Sequence, residues 1–242
     1  VSLPSVSVSP GETTNLGLVE LADNTDPTGV FSLNAGADTT NQSSVTITLS
    51  DLSDDAHKIW VSESDFVSTS TVSTANERNL PLTDETETFN LSGDDGEKTV
   101  YVRIFDSAGN FIDRQSNIVL DRDAPTSPVL ACTSCDWEVD GIVYTNNANP
   151  TLSLSAEDST SGFTGFTLQQ CDAQGENCSE ETETLPTNVA TTMPLETSNT
   201  VYTIKGRATD GAGNLSTVHE IQILHTAETP SFSVSLNPDS GN

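Results

Sequence analysis

Four cysteines, a set of loop carboxylates and a few histidines and tryptophans are the side chains of this sequence that could do chemistry. Cys132 and Cys135 are spaced CxxC, and Cys171 and Cys178 flank the turn-like segment Asp172-Ala-Gln-Gly-Glu-Asn177. An even count in an exported chain favours disulfides. The arms of the turn-like segment would bring Cys171 to Cys178, and Cys132 with Cys135 would close a small ring. Crossed pairing stays open, because four cysteines allow three connectivities. A four-thiolate zinc site is the competing chemistry, but the wider cysteine pair does not suit one half of such a site. A redox CxxC lacks the surrounding βαβ pattern.

The carboxylates recur at three kinds of place. Asp121 and Asp123 precede Pro125, Glu157 and Asp158 end an apolar run, and Asp210 opens the turn Asp210-Gly-Ala-Gly-Asn214. Brought to one place, these five would repel one another unless a hard cation joined them, and oxygen ligands are what Ca²⁺ takes. Asp26, Asp51, Asp54, Asp55 and Asp106 form a similar set upstream. The plainer account is that they are solvated loop acids, since 36 acidic residues against 8 basic ones give a formal charge of -28. That charge argues against nucleic-acid partners and anionic membrane surfaces. His57, His219 and His225 stand in no nucleophile or metal-protease motif, so a catalytic role is not expected. Trp60 falls on a strand-like run with Phe166 near the matching place downstream, which predicts core packing for both. Trp137 and Tyr144 lie beside the CxxC pair, where exposed aromatics would contact a glycan or a surface protein.

The elements that must position these residues are short strands. TVYVRIFDSAGN, ending at Asn110, alternates apolar and polar positions into a turn, and a returning strand leads to DRDAP. YTIKGRATDGAGN repeats this: Asp210 and Asn214 stand 104 residues beyond Asp106 and Asn110. Thr145-Asn146 answers Thr40-Asn41, and TLSL from Thr151 answers TITL from Thr46, each 105 residues on. A period of that size in 242 residues makes two units, each large enough for its own core. Strands are predicted at 30–33, 45–49, 58–62 and 87–91 before the first hairpin. In the second unit they fall at 128–130, 151–155, 166–170 and 193–195, then at 202–209 and 220–224. This spacing is that of an antiparallel sandwich. No apolar run reaches the length that spans a bilayer. Val1 opens inside a strand-like pattern without an export signal, so a fragment of a longer chain is expected.

The strings SLNAGADTTNQSSVTITLSD, FNLSGDDGEKTVYVRIFDSAGN and NIVLDRDAPTSP resemble the bacterial immunoglobulin-like repeats of large secreted or surface-anchored adhesins. The resemblance covers roughly residues 24–230. It implies an all-β fold of tandem immunoglobulin-like sandwiches, serving as a non-enzymatic extracellular stalk that spaces and presents a binding end. In such a sandwich the incoming linker, the loop after the second strand and the last hairpin turn share one end, which would gather the carboxylates. The expected divisions are a strand-like segment at 1–23, sandwiches at 24–122 and 123–228, and a tail or next module at 229–242. The second unit departs from the family pattern through its cysteine-bearing insert. That departure supports the alternative, a terminal recognition module binding a glycan or surface protein through the insert.

Overall fold

In a computed structural model the chain is described at residues 23–66, 77–81, 86–182, 184–187 and 190–226. The opening segment at 1–22, the polar stretch at 68–74 and the tail at 229–242 lie outside the described residues. The fold is all-β. The first unit contains β1 (Val30–Leu33), a 3-10 turn (Asn34–Gly36), β2 (Thr39–Thr40), β3 (Ser44–Ser50) and β4 (Ala56–Ser62). It continues through β5 (Glu77–Asn79), β6 (Thr86–Asn90), β7 (Gly96–Asp106) and β8 (Phe111–Leu120). The second unit runs β9 (Thr126–Cys132), β10 (Trp137–Val139), β11 (Ile142–Thr145), β12 (Thr151–Glu157) and β13 (Phe163–Cys171). It closes with β14 (Leu185–Pro186), β15 (Thr191–Thr192), β16 (Thr200–Asp210) and β17 (His219–His225).

Strand order repeats between units. The first has sheets β1-β3-β6 and β2-β8-β7-β4-β5, and the second has β9-β12-β15 and β11-β17-β16-β13-β14, the latter extended at one edge by β10. In each unit the chain leaves the first sheet and lies parallel along the last strand of the other, as β2 on β8 and β11 on β17. These are tandem immunoglobulin-like sandwiches.

Alternation along the strands builds both cores. Val100, Val102 and Ile104 of β7 meet Val45 and Ile47 of β3 and Ile59 of β4, all at 0% exposure. In the second unit Phe166, Leu168, Ile204 and Ala208 pack on Leu152 and Leu154. Phe166 is therefore core, as predicted. Trp60 is not, because Ile59 and Val61 take the inward positions on β4 and turn it to the outer face. There its indole N–H donates to Glu77 (2.7 Å), its ring meets Phe105 edge-on at 4.6 Å, and the Lys58 ammonium lies over both rings. The predicted strand at 193–195 is displaced too: the ladder pairs Thr191 and Thr192, while Met193 and Leu195 bury their side chains and donate N–H to Pro150 and Ala148.

The insert is a hairpin at the place where the chain changes sheets. In the first unit a single 3-10 turn makes that crossing, with the Asn34 side chain accepting the Thr46 N–H at 2.8 Å. In the second, β10 pairs antiparallel with β11 through the tight turn Asp140-Gly141, both residues at positive φ.

Candidate functional site

The junction between the units is where the loop acids meet. β8 ends at Leu120, and Asp121 continues its line by donating its N–H to the Thr40 carbonyl (2.9 Å). β9 begins only at Thr126, so Asp121 sits in the link itself, at 0% exposure. One carboxylate oxygen each of Asp121, Asp158 and Asp210 lies within 4.8 Å of the others.

Asp158 and Asp210 are each held by their own loop, and Asp121 by a residue of the Asp158 loop. Asp158 accepts the N–H groups of Thr160, Ser161 and Gly162 on one oxygen, a turn that fixes the loop after β12. Asp210 accepts the N–H groups of Ala212 and Asn214, closing the last hairpin. Ser161 donates both its N–H and its hydroxyl to Asp121, and that hydroxyl accepts the Ala212 N–H. Asn214 completes the joint: its side-chain amide donates to Asp210 and to the carbonyls of Asp121 and Asp123 (2.8, 2.9 and 3.0 Å). Gly211 allows the close fit, since a Cβ there would stand 2.7 Å from the Ser161 carbonyl oxygen. Thr39 of the first unit donates its hydroxyl to the Gly211 carbonyl, so the second unit's turn also touches the first unit directly.

The same construction stands at the head of the first unit. Asp23, Asp55 and Asp106 bring carboxylate oxygens within 4.8 Å of one another. Asp106 accepts the N–H groups of Gly109 and Asn110 and the Asn110 side-chain amide, which also donates to the Asp23 carbonyl. Burial alone would raise the Asp106 pKa, but those bonds from Asn110 and its turn outweigh it and hold the acid below the usual aspartate value. One oxygen of Asp55 is buried with no hydrogen-bond donor.

Among the described residues, none of the four ion pairs reaches either trio. Converging anionic oxygens without a basic partner, one of them buried and without a donor, fit a hard divalent cation held by oxygen. Of the predicted set, Asp121, Asp158 and Asp210 come together. Asp123 and Glu157 are exposed; their carboxylates lie outside the trio, while their backbone carbonyls accept bonds from Asn214 and Thr126. Upstream, Asp55 and Asp106 converge, whereas Asp26, Asp51 and Asp54 stay outside the group. Asp23 was missed, although it stands four residues before Pro27 as Asp121 does before Pro125, and both prolines are buried.

A third equivalent position follows β17. Thr226 donates its N–H to Thr145 (2.8 Å) as Asp121 does to Thr40, so a hydroxyl stands there in place of a carboxylate.

The insert carries the other candidates. Cys132 is bonded to Cys135 and Cys171 to Cys178, which leaves no thiol for zinc. The second bridge staples a turn built like the other two: Asp172 accepts the Glu176 N–H and the Asn177 side-chain amide, which hold its carboxyl below the usual value. Trp137 and Tyr144 are cross-strand partners whose rings stack at 5.6 Å and 15°, with Trp137 39% exposed. His225 is buried, its ring nitrogen against the Thr197 carbonyl, and His219 is half-buried on β17.

No family model and no curated protein matches the chain. Solved structures that resemble it include the fibronectin(III)-like modules of Clostridium thermocellum CbhA, at TM-score 0.45 and 11% identity over 86% of this chain and 100% of that one. The FN1–FN3 domains of chicken CNTN1 align at TM-score 0.44 and 16% identity, over 83% and 67% of the two chains. A tetra-tandem repeat from the extending region of a large adhesion protein aligns at 0.35 and 17%, over 85% and 50%. These are remote likenesses, and the assignment to tandem immunoglobulin-like sandwiches rests on the strand order itself.

Proposed function

We propose that the chain is a non-enzymatic spacer of an extracellular, surface or secreted bacterial adhesin, whose modules are locked in line by Ca²⁺ at their junctions. The observation that carries this reading is the placement of Asp121. A fully buried carboxylate in a link this short, facing carboxylates from two loops of the next module, couples the direction of one sandwich to that of the other. Asp121, Asp158 and Asp210 would hold the ion at the central junction, and Asp23, Asp55 and Asp106 at the first. The ion would supply the positive charge the acids lack, and the link would resist bending. The two disulfides support a location outside the cytosol, where such bonds persist. A spacer needs no reaction centre, which agrees with the absence of a nucleophile or metal-protease motif in the sequence.

Thermal unfolding in EDTA and in millimolar Ca²⁺ tests this. A ligand bound only by the folded state stabilises it by about 2.7 kcal/mol at a hundred times its Kd. An upward shift in Ca²⁺ is expected, reduced in Asp121→Asn while Asp123→Asn keeps it. Equal melting in both solutions would sink the calcium reading and leave the acids as solubilising loops. The exposed Trp137 ring, stacked on the half-buried Tyr144, favours a second reading, recognition through the insert.

A further inference from the structure

The outer face of the larger sheet of the second unit carries an apolar row that the first unit lacks. Trp137 of β10 pairs with Tyr144 of β11, Tyr144 with Leu224 of β17, and Leu224 with Val201 of β16. Cross-strand partners share a face, and this face is the outer one, since the neighbours Val143, Ile223 and Tyr202 turn to the core. Trp137 is 39% exposed and the other three are half-buried. The corresponding row of the first unit is shorter and more polar: Thr39, Val119 and Glu97, paired in the same order. Thr39 stands to Asp121 as Tyr144 stands to Thr226, for each precedes the threonine whose carbonyl accepts the N–H of the outgoing link. At the central junction this place touches the following module, because the Thr39 hydroxyl donates to the Gly211 carbonyl in the last hairpin turn of the second unit. Tyr144 keeps a hydroxyl there, and among the described residues that hydroxyl has no hydrogen bond. Beyond Thr226 the sequence returns to the start of the first unit. Pro230 follows Thr226 as Pro27 follows Asp23, and Val234-Ser-Leu-Asn237 answers Phe31-Ser-Leu-Asn34, all 203 residues on. These residues lie outside the described ones, and the match is to the sequence of β1 and the first residue of the turn after it.

We propose that the row of Trp137, Tyr144 and Leu224 seats the last hairpin turn of a sandwich that follows Thr226. This junction would be held by apolar contact, where the central one gathers carboxylates. The Tyr144 hydroxyl would donate to a turn carbonyl in the role of Thr39, and the Trp137 ring would cover the turn from the side. Three observations select this occupant. The row lies where the first unit already receives its neighbour, and the insert lengthens it by one aromatic ring beyond that contact. The link residue is the neutral Thr226 where the central junction has Asp121, so the joint needs no cation. Covering a partly exposed apolar row then supplies the attraction that modules of an acidic chain do not draw from charge. The proposal rests on the spacer reading for its succession of modules and is independent of calcium.

The test compares residues 1–242 with the same protein extended along its own reading frame to the end of the next sandwich, both in EDTA. The indole N–H signals of Trp60 and Trp137 are followed by nuclear magnetic resonance against a neutral gadolinium chelate, whose relaxation effect reports solvent access. In the extended chain the effect on Trp137 should fall about threefold, as expected where an interface excludes water, while that on Trp60 stays the same. Residual dipolar couplings of the second and third sandwiches should fit one alignment tensor in the extended chain and two in its Trp137→Ser variant. Val129→Ser, an exposed change on β9, should leave one tensor. Equal access to Trp137 in both chains, a single tensor in Trp137→Ser, or protection that requires Ca²⁺ would overturn the proposal. A reading frame with no sandwich beyond residue 242 would overturn it too. Protection of Trp137 in residues 1–242 that rises with protein concentration would give the row to a second copy and equally overturn it. The calcium reading fails separately, by equal melting of residues 1–242 in EDTA and in Ca²⁺ while the protection of Trp137 persists.

Discussion

Asn214 ties the last hairpin turn to the incoming link through one side chain. Its amide donates to the turn acid Asp210 and to two carbonyls of the incoming link. Each such bond contributes on the order of 1 kcal/mol, so Asn214→Ala should destabilise the second unit by about 2–3 kcal/mol in urea or thermal melts. Asn214→Asp should not restore it, because a carboxylate cannot donate and would add a fourth negative charge to the trio. Gly211→Ala should also destabilise, since its Cβ would press on the Ser161 carbonyl. The equivalent residue of the first unit is Ser107, so the tight approach belongs to the central junction alone. Away from the trios, Glu77 is held below its ordinary value by the Trp60 N–H and then by Lys58, and Asp172 by Asn177 and Glu176. A carboxyl whose folded pKa lies below its unfolded one stabilises fully above the unfolded value and loses that contribution as pH falls through the folded value. Melting temperature measured in EDTA should therefore be flat from neutral pH to about 5 and fall below about pH 4. A maximum near pH 3 would contradict the assigned shifts.

Element by element, the β7–β8 and β16–β17 hairpins are plain in the sequence and the crossings are not. Strands β3, β4, β7, β12 and β16 fall where alternation placed them, because one face is buried and the period of two survives in the residues. The match to Phe166 predicts core packing for Trp60, but β4 turns odd and even positions to opposite faces, and its neighbours Ile59 and Val61 already point inward. The cysteine spacing marks the insert as chemistry but does not locate its hairpin, whose turn signal is Asp140-Gly141. The acid trios were half legible. Loop acids can be counted, but which of them converge depends on turns such as that of Asp158, and on Asp23 keeping its spacing to a buried proline.

At the scale of the molecule, the two cores share no buried hydrophobic residue, one drawing on 31–120 and the other on 130–223. All four cysteines belong to the second. Closing loops of this size stabilises by roughly 2 kcal/mol per bridge in the chain-entropy estimate. Calorimetry with a reductant should lower the transition of the second unit and leave that of the first in place. A single transition that moves as a whole would mean that the junction couples the units more strongly than their separate cores suggest.

The replacement of Asp121 by Thr226 in the equivalent position has a mechanical meaning. In polymer terms, and on the proposed calcium reading, the joint at Asp121 carries an ionisable lock, whereas the matching place at Thr226 carries a neutral hydroxyl. Local persistence length at Asp121 would then rise with divalent cation. On that reading, salt composition would set how far the central link reaches.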